Sequence, residues 1–157
     1  MTLYNGRRFR ALNMLDEGVR EVLDIEVDTS LPGERVVQVL ERLKYWRGLP
    51  QAIRCDNGPE LTSEVFVDWC KENGVELRHI EPGKPNQNAF IERFNKTYRN
   101  EVLDAYLFES MADVREITEG WINEYNEQRP HDSLKGLPPT MYREMITREV
   151  SLYEVST

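Results

Sequence analysis

Extended runs come first in this chain, and then helix, strand, helix and strand alternate before residue 80, an order that restricts it to a layered α/β fold. Residues 9–15 and 19–27 read as two strands joined through Asp16-Glu17-Gly18. Residues 2–4 read as the end of an earlier strand turning at Asn5-Gly6, a hairpin signal, so the start is a three-strand meander. Leu31-Pro32-Gly33 breaks the meander, with Thr29 or Ser30 placed to cap the helix that follows. In that helix Val36, Val39, Leu40 and Leu43 fall at i, i+3, i+4 and i+7, one apolar stripe for packing on a sheet. Gly48-Leu49-Pro50 ends it, and Ala52, Ile53 and Cys55 form a short strand.

A second helix is expected after Thr62 or Ser63, with Phe66, Trp69 and Cys70 inward and Asn73-Gly74 as its stop. Residues 75–77 make a short strand, and residues 79–86, with Pro82, Gly83 and Pro85, a mobile loop. A third helix is expected over about residues 87–103 and a fourth over about 110–126, the latter with Val114, Ile117, Trp121 and Tyr125 as its buried stripe. Residues 1–145 are expected to form one domain, with 146–157 a tail of little pattern, either flexible or crossing to a partner chain.

A length of 157 residues supports one domain with a real core. No apolar run approaches the length of a membrane span, and the first residues do not make a signal sequence. Cys55 and Cys70 are too few for a disulfide framework and point to a reduced, cytoplasmic protein. A net charge of −8 argues against a whole-surface nucleic-acid binder. Attraction to phosphate has to be local, from Arg7, Arg8 and Arg10, and from Lys84, Arg93, Lys96 and Arg99.

The chemistry concentrates between Cys55 and Arg99. Asp56 stands where the short apolar strand runs into an Asn-Gly turn, which places its carboxylate at a strand's C-terminal end, where ligands gather in α/β sheets. It reads equally as a turn former, and the turn fixes where the carboxylate points. On the third helix Ile91, Phe94, Tyr98 and Val102 share one face, while Glu92, Lys96 and Arg99, with Asn95 beside them, share another. Taken alone, that second face is an ordinary solvated one with a weak Glu92–Lys96 pair. Two carboxylates brought together from a strand end and a helix can instead hold Mg²⁺ or Mn²⁺, with phosphate oxygens completing the shell. That is equipment for phosphodiester chemistry.

Asp56 and Glu92 are separated by 35 residues (57 to 91), set within Asp56-Asn57-Gly58-Pro59-Glu60 and Asn88-Ala89-Phe90-Ile91-Glu92-Arg93-Phe94-Asn95 and followed by Tyr125-Asn126-Glu127-Gln128-Arg129-Pro130-His131. This spacing and these words resemble the insertion-sequence DDE transposases whose catalytic half is a retroviral-integrase-like core. The resemblance implies an α/β, ribonuclease-H-like fold, a mixed five-stranded sheet with helices on both faces. It also implies DNA cleavage and strand transfer, with DNA and further copies of the chain as partners and no membrane.

Under this resemblance Asp56 and Glu92 are catalytic metal ligands, and Lys96 and Arg99 hold DNA phosphates. Lys84, Gln87 and Asn88, at or before the helix start, contact DNA, helped by the anion preference of a helix N-terminus. His79 either contacts substrate or is simply exposed. Asn57, Glu60 and Asn95 brace the site. Arg129-Pro130-His131 either touches DNA or packs the closing segment onto the core. The family pattern carries three acids, the first on the opening strand, and residues 1–4 contain none. Asp16 lies too close to Asp56, with 39 residues between them (17 to 55), and matches a different position. The chain is therefore expected to be an N-terminally truncated transposase core with impaired joining activity and weak metal binding. The competing readings are a non-catalytic remnant that binds DNA or dimerises, and a structure-specific nuclease on the same fold.

Overall fold

The computed structural model describes residues 1–81, 83–84, 89–146 and 151–157. Strands β1 (Arg10–Asp16) and β2 (Glu21–Asp28) form an antiparallel hairpin. Helix α1 (Gly33–Arg47), strand β3 (Ala52–Cys55), helix α2 (Glu64–Glu72) and strand β4 (Glu76–His79) follow in the expected alternation. Next come α3 (Ala89–Tyr98), α4 (Met111–Glu127), α5 (Pro139–Met145) and β5 (Leu152–Ser156). The five strands lie in the order β2-β1-β5-β3-β4. β5 runs antiparallel to β1 and parallel to β3, and β3 runs parallel to β4, so the sheet is mixed.

Apolar periodicity explains the two layers. Val36, Val39 and Leu40 of α1 and Phe66, Trp69 and Cys70 of α2 bury against Leu12, Met14, Ile53, Cys55, Tyr153 and Val155. On the other face Ile91, Phe94 and Tyr98 of α3 and Val114 and Tyr125 of α4 bury against Ala11, Leu15, Val22, Ile25 and Val27. Helices thus cover both faces, as the resemblance implied. Both cysteines are buried and free, their thiols pushed up to about 12 for Cys55 and about 11 for Cys70, first by burial. No described helix is long and apolar enough to cross a membrane.

The structure corrects several expectations. The three-strand start reduces to two strands, because residues 2–4 contribute only an isolated bridge, Thr2 to Arg8, around the Asn5-Gly6 turn. The expected tail instead supplies β5, the central strand. Five residues with a glutamate in the middle carry too little alternation to be read as an interior strand. Neither Thr29 nor Ser30 caps α1; its N-cap is Pro32, with no side-chain cap. The third helix stops at Tyr98 and passes into a π-helical turn, Arg99–Leu103. Pro82 and residues 85–88, in the expected loop and at the expected helix start, lie outside the described residues.

Candidate active site

β3 carries Cys55 into the α1–α2 core, and strand alternation directs the next residue, half-buried Asp56, toward the α3 side. Its Oδ1 accepts the Gly58 N–H at 2.9 Å, closing a turn from aspartate to the backbone two residues on. Oδ2 lies 3.5 Å from the N–H of Thr157, just past β5. Asn57 Nδ2 donates to the Ile80 carbonyl at 2.9 Å and ties this turn to the end of β4. A Cβ on Gly58 would stand 2.7 Å from Glu60 Oε1 and 3.0 Å from Asp56 Oδ1, so glycine is what lets the two acids approach. Glu60 is buried, accepting from Arg10 Nη2 at 3.1 Å and from the Thr157 hydroxyl at 2.5 Å. Burial pushes its pKa up, but the Thr157 hydroxyl, a backbone N–H and Arg10 outweigh burial and hold it below the usual value. Asn57 thus links the Asp56 turn to β4, and Glu60 shares Thr157 with Asp56.

On α3, burial of Ile91, Phe94 and Tyr98 leaves Glu92 and Lys96 exposed on a neighbouring face, and Arg99, the first residue of the π-helical turn, is exposed after them. Asn95, one turn after Glu92, fixes the rotation of this helix over the sheet. Its Oδ1 accepts from Asn13 Nδ2 of β1 at 2.7 Å, and its Nδ2 donates to Ser156 Oγ of β5 at 3.1 Å. At the N-terminal end the Arg20 guanidinium sits 4.1 Å from the centre of the Phe90 ring, a cation–π contact two residues before Glu92. Arg20 holds a left-handed backbone, φ 59°, which costs a side-chain-bearing residue about 1–2 kcal/mol.

Asp56 and the α3 face are thus connected through β5. Thr157 meets Asp56, and Ser156 meets Asn95. Of the other expected site residues, His79 has Nε2 2.6 Å from the Leu61 carbonyl, a tie within the α1–α2 side of the molecule. His79 also lines a cleft with Arg54, Arg78, Ile80 and Glu81. Lys84 pairs with Glu81 at 2.7 Å on the surface. Gln87 and Asn88 lie outside the described residues.

Arg129 packs: its guanidinium lies 5.6 and 5.2 Å from the centres of the Trp121 and Tyr125 rings and pairs with Glu101 and Glu124. The His131 ring stands edge-on to Tyr125 at 5.0 Å, and burial, then Arg129 and Arg20, lowers its pKa. Sequence reasoning missed Asn13, Ser156, Thr157 and Arg20. Asn13 carried a signal, a lone amide inside the apolar run Ala11-Leu12-Asn13-Met14-Leu15.

Among the described residues no group of three or more His, Cys, Asp or Glu side chains is placed to hold a metal ion. Divalent ions such as Mg²⁺ are commonly held by one or two carboxylates with water and phosphate oxygens completing the shell, and Asp56 and Glu92 are donors of that chemical kind. They are too few to bridge a pair of ions.

Two family models described as integrase core domain match this chain, over residues 2–85 and 73–139. An insertion element IS476 protein of Xanthomonas euvesicatoria is 43% identical over 140 residues, 89% of this chain and 40% of that protein. The chain belongs to the integrase core family. A second insertion-element relative, the IS407 31.7 kDa protein of Burkholderia multivorans, is also 43% identical over 140 residues. The chain spans 40% and 50% of the lengths of these two insertion-element relatives. The fold matches the HTLV-2 integrase catalytic core domain in complex with magnesium, with TM-score 0.69 and 16% identity over 89% of this chain and 88% of that one. The BIV integrase core gives TM-score 0.64 at 16% identity, covering 87% and 93% of the two chains. Both confirm the ribonuclease-H-like architecture of this integrase core.

Proposed function

We propose that this integrase core is the catalytic portion of an insertion-sequence transposase, a class that cleaves DNA and joins its ends to a target, and that its own joining activity is impaired. The observation that carries the reading is the convergence on β5: Asp56 at the β3 end meets Thr157, and Asn95, one turn after Glu92, meets Ser156. Asp56 and Glu92 would hold one weakly bound Mg²⁺ or Mn²⁺. Such an ion polarises a phosphodiester and lowers the pKa of bound water. The chain's own side chains position DNA. Lys96 and Arg99 offer two cations on the same exposed helix face as Glu92, and Arg93 is a further exposed cation of α3, whereas Lys84 is paired with Glu81. The Gly58 N–H holds Oδ1 of the Asp56 carboxylate, Asn57 ties that turn to the end of β4, and Glu60 shares Thr157 with Asp56.

A second reading, a non-catalytic module that binds DNA or self-associates, is favoured by the lack of a three-acid cluster among the described residues. The experiment is a pair of assays on labelled insertion-element ends. Replacing Lys96 and Arg99 with alanine is expected to weaken DNA binding about tenfold at low salt and to flatten the salt dependence by about one unit of slope per residue. Unchanged binding would remove α3 as the DNA face. In the second assay the unmodified chain is expected to show little or no strand transfer with Mg²⁺ or Mn²⁺. Robust metal-dependent joining, abolished by Glu92→Gln, would show that the site is complete as it stands.

A further inference from the structure

The sheet ends in two outer strands, and they are finished differently. β2 is bonded along its open side by α4, through Asn126 to Val22 and Arg115 to Val27. β4, at the other end of the strand order, pairs only with β3. The Glu76 N–H donates to the Gln51 carbonyl at 3.0 Å, and the Ile80 N–H to the Cys55 carbonyl at 2.9 Å. The main chain of residues 76, 78 and 80 is therefore turned toward β3. Strand alternation turns the N–H and C=O groups of Leu77 and His79 outward. Among the described residues no hydrogen bond occupies them. Such an edge is a template for another strand.

Its side chains select which strand. Glu76 and Arg78 stand on one face of β4, two residues apart, with side chains 63% and 47% exposed and a 2.9 Å pair along the strand. Leu77, half-buried, packs against the α1–α2 core on the opposite face. Antiparallel pairing of two copies about a two-fold axis at Leu77 sets each Glu76 directly opposite the partner's Arg78. The charges then alternate around a rectangle, each carboxylate between two guanidiniums, and opposite charges placed across a strand pair attract.

The main chain agrees with this register. Leu77 meets the partner's Leu77 as a hydrogen-bonded pair, and the His79 N–H reaches the partner's Val75 carbonyl. The Val75 N–H already donates to the Cys70 carbonyl at 2.8 Å, so the ladder ends there. A slip of two residues sets Glu76 against Glu76 or Arg78 against Arg78. A slip of one opposes outward groups to groups already bonded to β3.

We propose that β4 is a self-association edge. Two copies of this chain join their sheets antiparallel through residues 75–79, and the reciprocal Glu76–Arg78 pairs fix the register. Short charged edges also keep strands apart, but that device relies on charges of one sign. A glutamate and an arginine on one face attract a second copy. The proposal does not depend on Asp56 or Glu92 holding a metal, and its test uses neither metal nor DNA.

Sedimentation equilibrium across micromolar to sub-millimolar protein reads the association. A reversible dimer is expected, weakened by added salt. Glu76→Arg sets arginine against arginine, and Arg78→Glu sets glutamate against glutamate. Each variant alone is expected to dimerise about tenfold more weakly or worse. Mixed in equal amounts, they oppose arginines to glutamates throughout and should associate as tightly as the unmodified protein. Both side chains are exposed, so both variants should fold, which circular dichroism checks. A protein monomeric at every concentration, a dimer indifferent to either charge reversal, or variants whose mixture does not associate overturns the proposal.

Hydrogen exchange of the unmodified protein gives a reading that needs no variant. The Leu77 and His79 amides should exchange slowly in concentrated solution and quickly in dilute solution, while that of Ile80, bonded to Cys55, does not respond. Exchange of Leu77 and His79 that is the same at both concentrations equally overturns it.

Discussion

Glu154 sits in the middle of the sheet with Arg54 Nη1 3.3 Å from Oε1, Glu17 sharing that same Nη1 at 3.3 Å, and Oε2 unpartnered. Burial, and then repulsion from Glu17, push its pKa up to about 7, against the opposing pull of Arg54 and Arg20. The folded chain therefore binds a proton that the unfolded chain, with an ordinary value of 4.5, releases. Stability from this group is fully present below pH 4.5 and is lost as pH rises to about 7. Asp24, beside Glu26 on β2, is also raised to about 7, by burial first and then by Glu26, and adds a slope of the same sign. Glu154→Gln should remove only its own share, on the order of 1–3 kcal/mol between those pH limits. Urea unfolding of the two proteins at pH 5 and pH 8 measures it. Equal losses of stability in both would mean that Glu154 is not the buried acid described.

At the scale of elements, β2 is an edge strand, and α4 closes it. Asn126 bonds the Val22 N–H at 2.8 Å and donates to its carbonyl at 2.9 Å, as a neighbouring strand would, and Arg115 donates to the Val27 carbonyl at 3.0 Å. Open edges recruit other strands, so this contact is protective as well as cohesive. Asn126→Ala is expected to cost about 1–2 kcal/mol and to cause concentration-dependent association, read by chemical unfolding and light scattering. No change in either would mean that the edge is guarded by something else.

The same elements show what was legible. Asp56 and α3 could be read because a strand, a turn and an amphipathic helix each carry a local signal that packing then obeys. In the Tyr125-to-His131 segment the motif was visible but its work was not, since Asn126 and Arg129 act on residues far away in the chain. β5 was invisible for a related reason. Its place depends on a gap between β1 and β3 that exists only once the rest has folded.

The whole molecule combines an acidic surface, net charge −8, with a small set of exposed cations on α3 beside Glu92. Under the proposed function, such a body would approach DNA by one face only, and with affinity that falls steeply with salt. Its architecture is that of an integrase core, and its sheet is closed by β5, which reaches Asn95 and, through Thr157, Asp56. The account therefore depends on Asp56 and Glu92 acting on one cation across the β3–β5–α3 junction. The direct measurement is a Mn²⁺ titration of four proteins: unmodified, Asp56→Asn, Glu92→Gln and the double variant. One weak site is expected, lost to a similar degree in each single variant, with the double variant no worse than either, because the two groups serve one ion. A Glu92→Gln protein that binds as the unmodified chain does, or losses that multiply in the double variant, would contradict it.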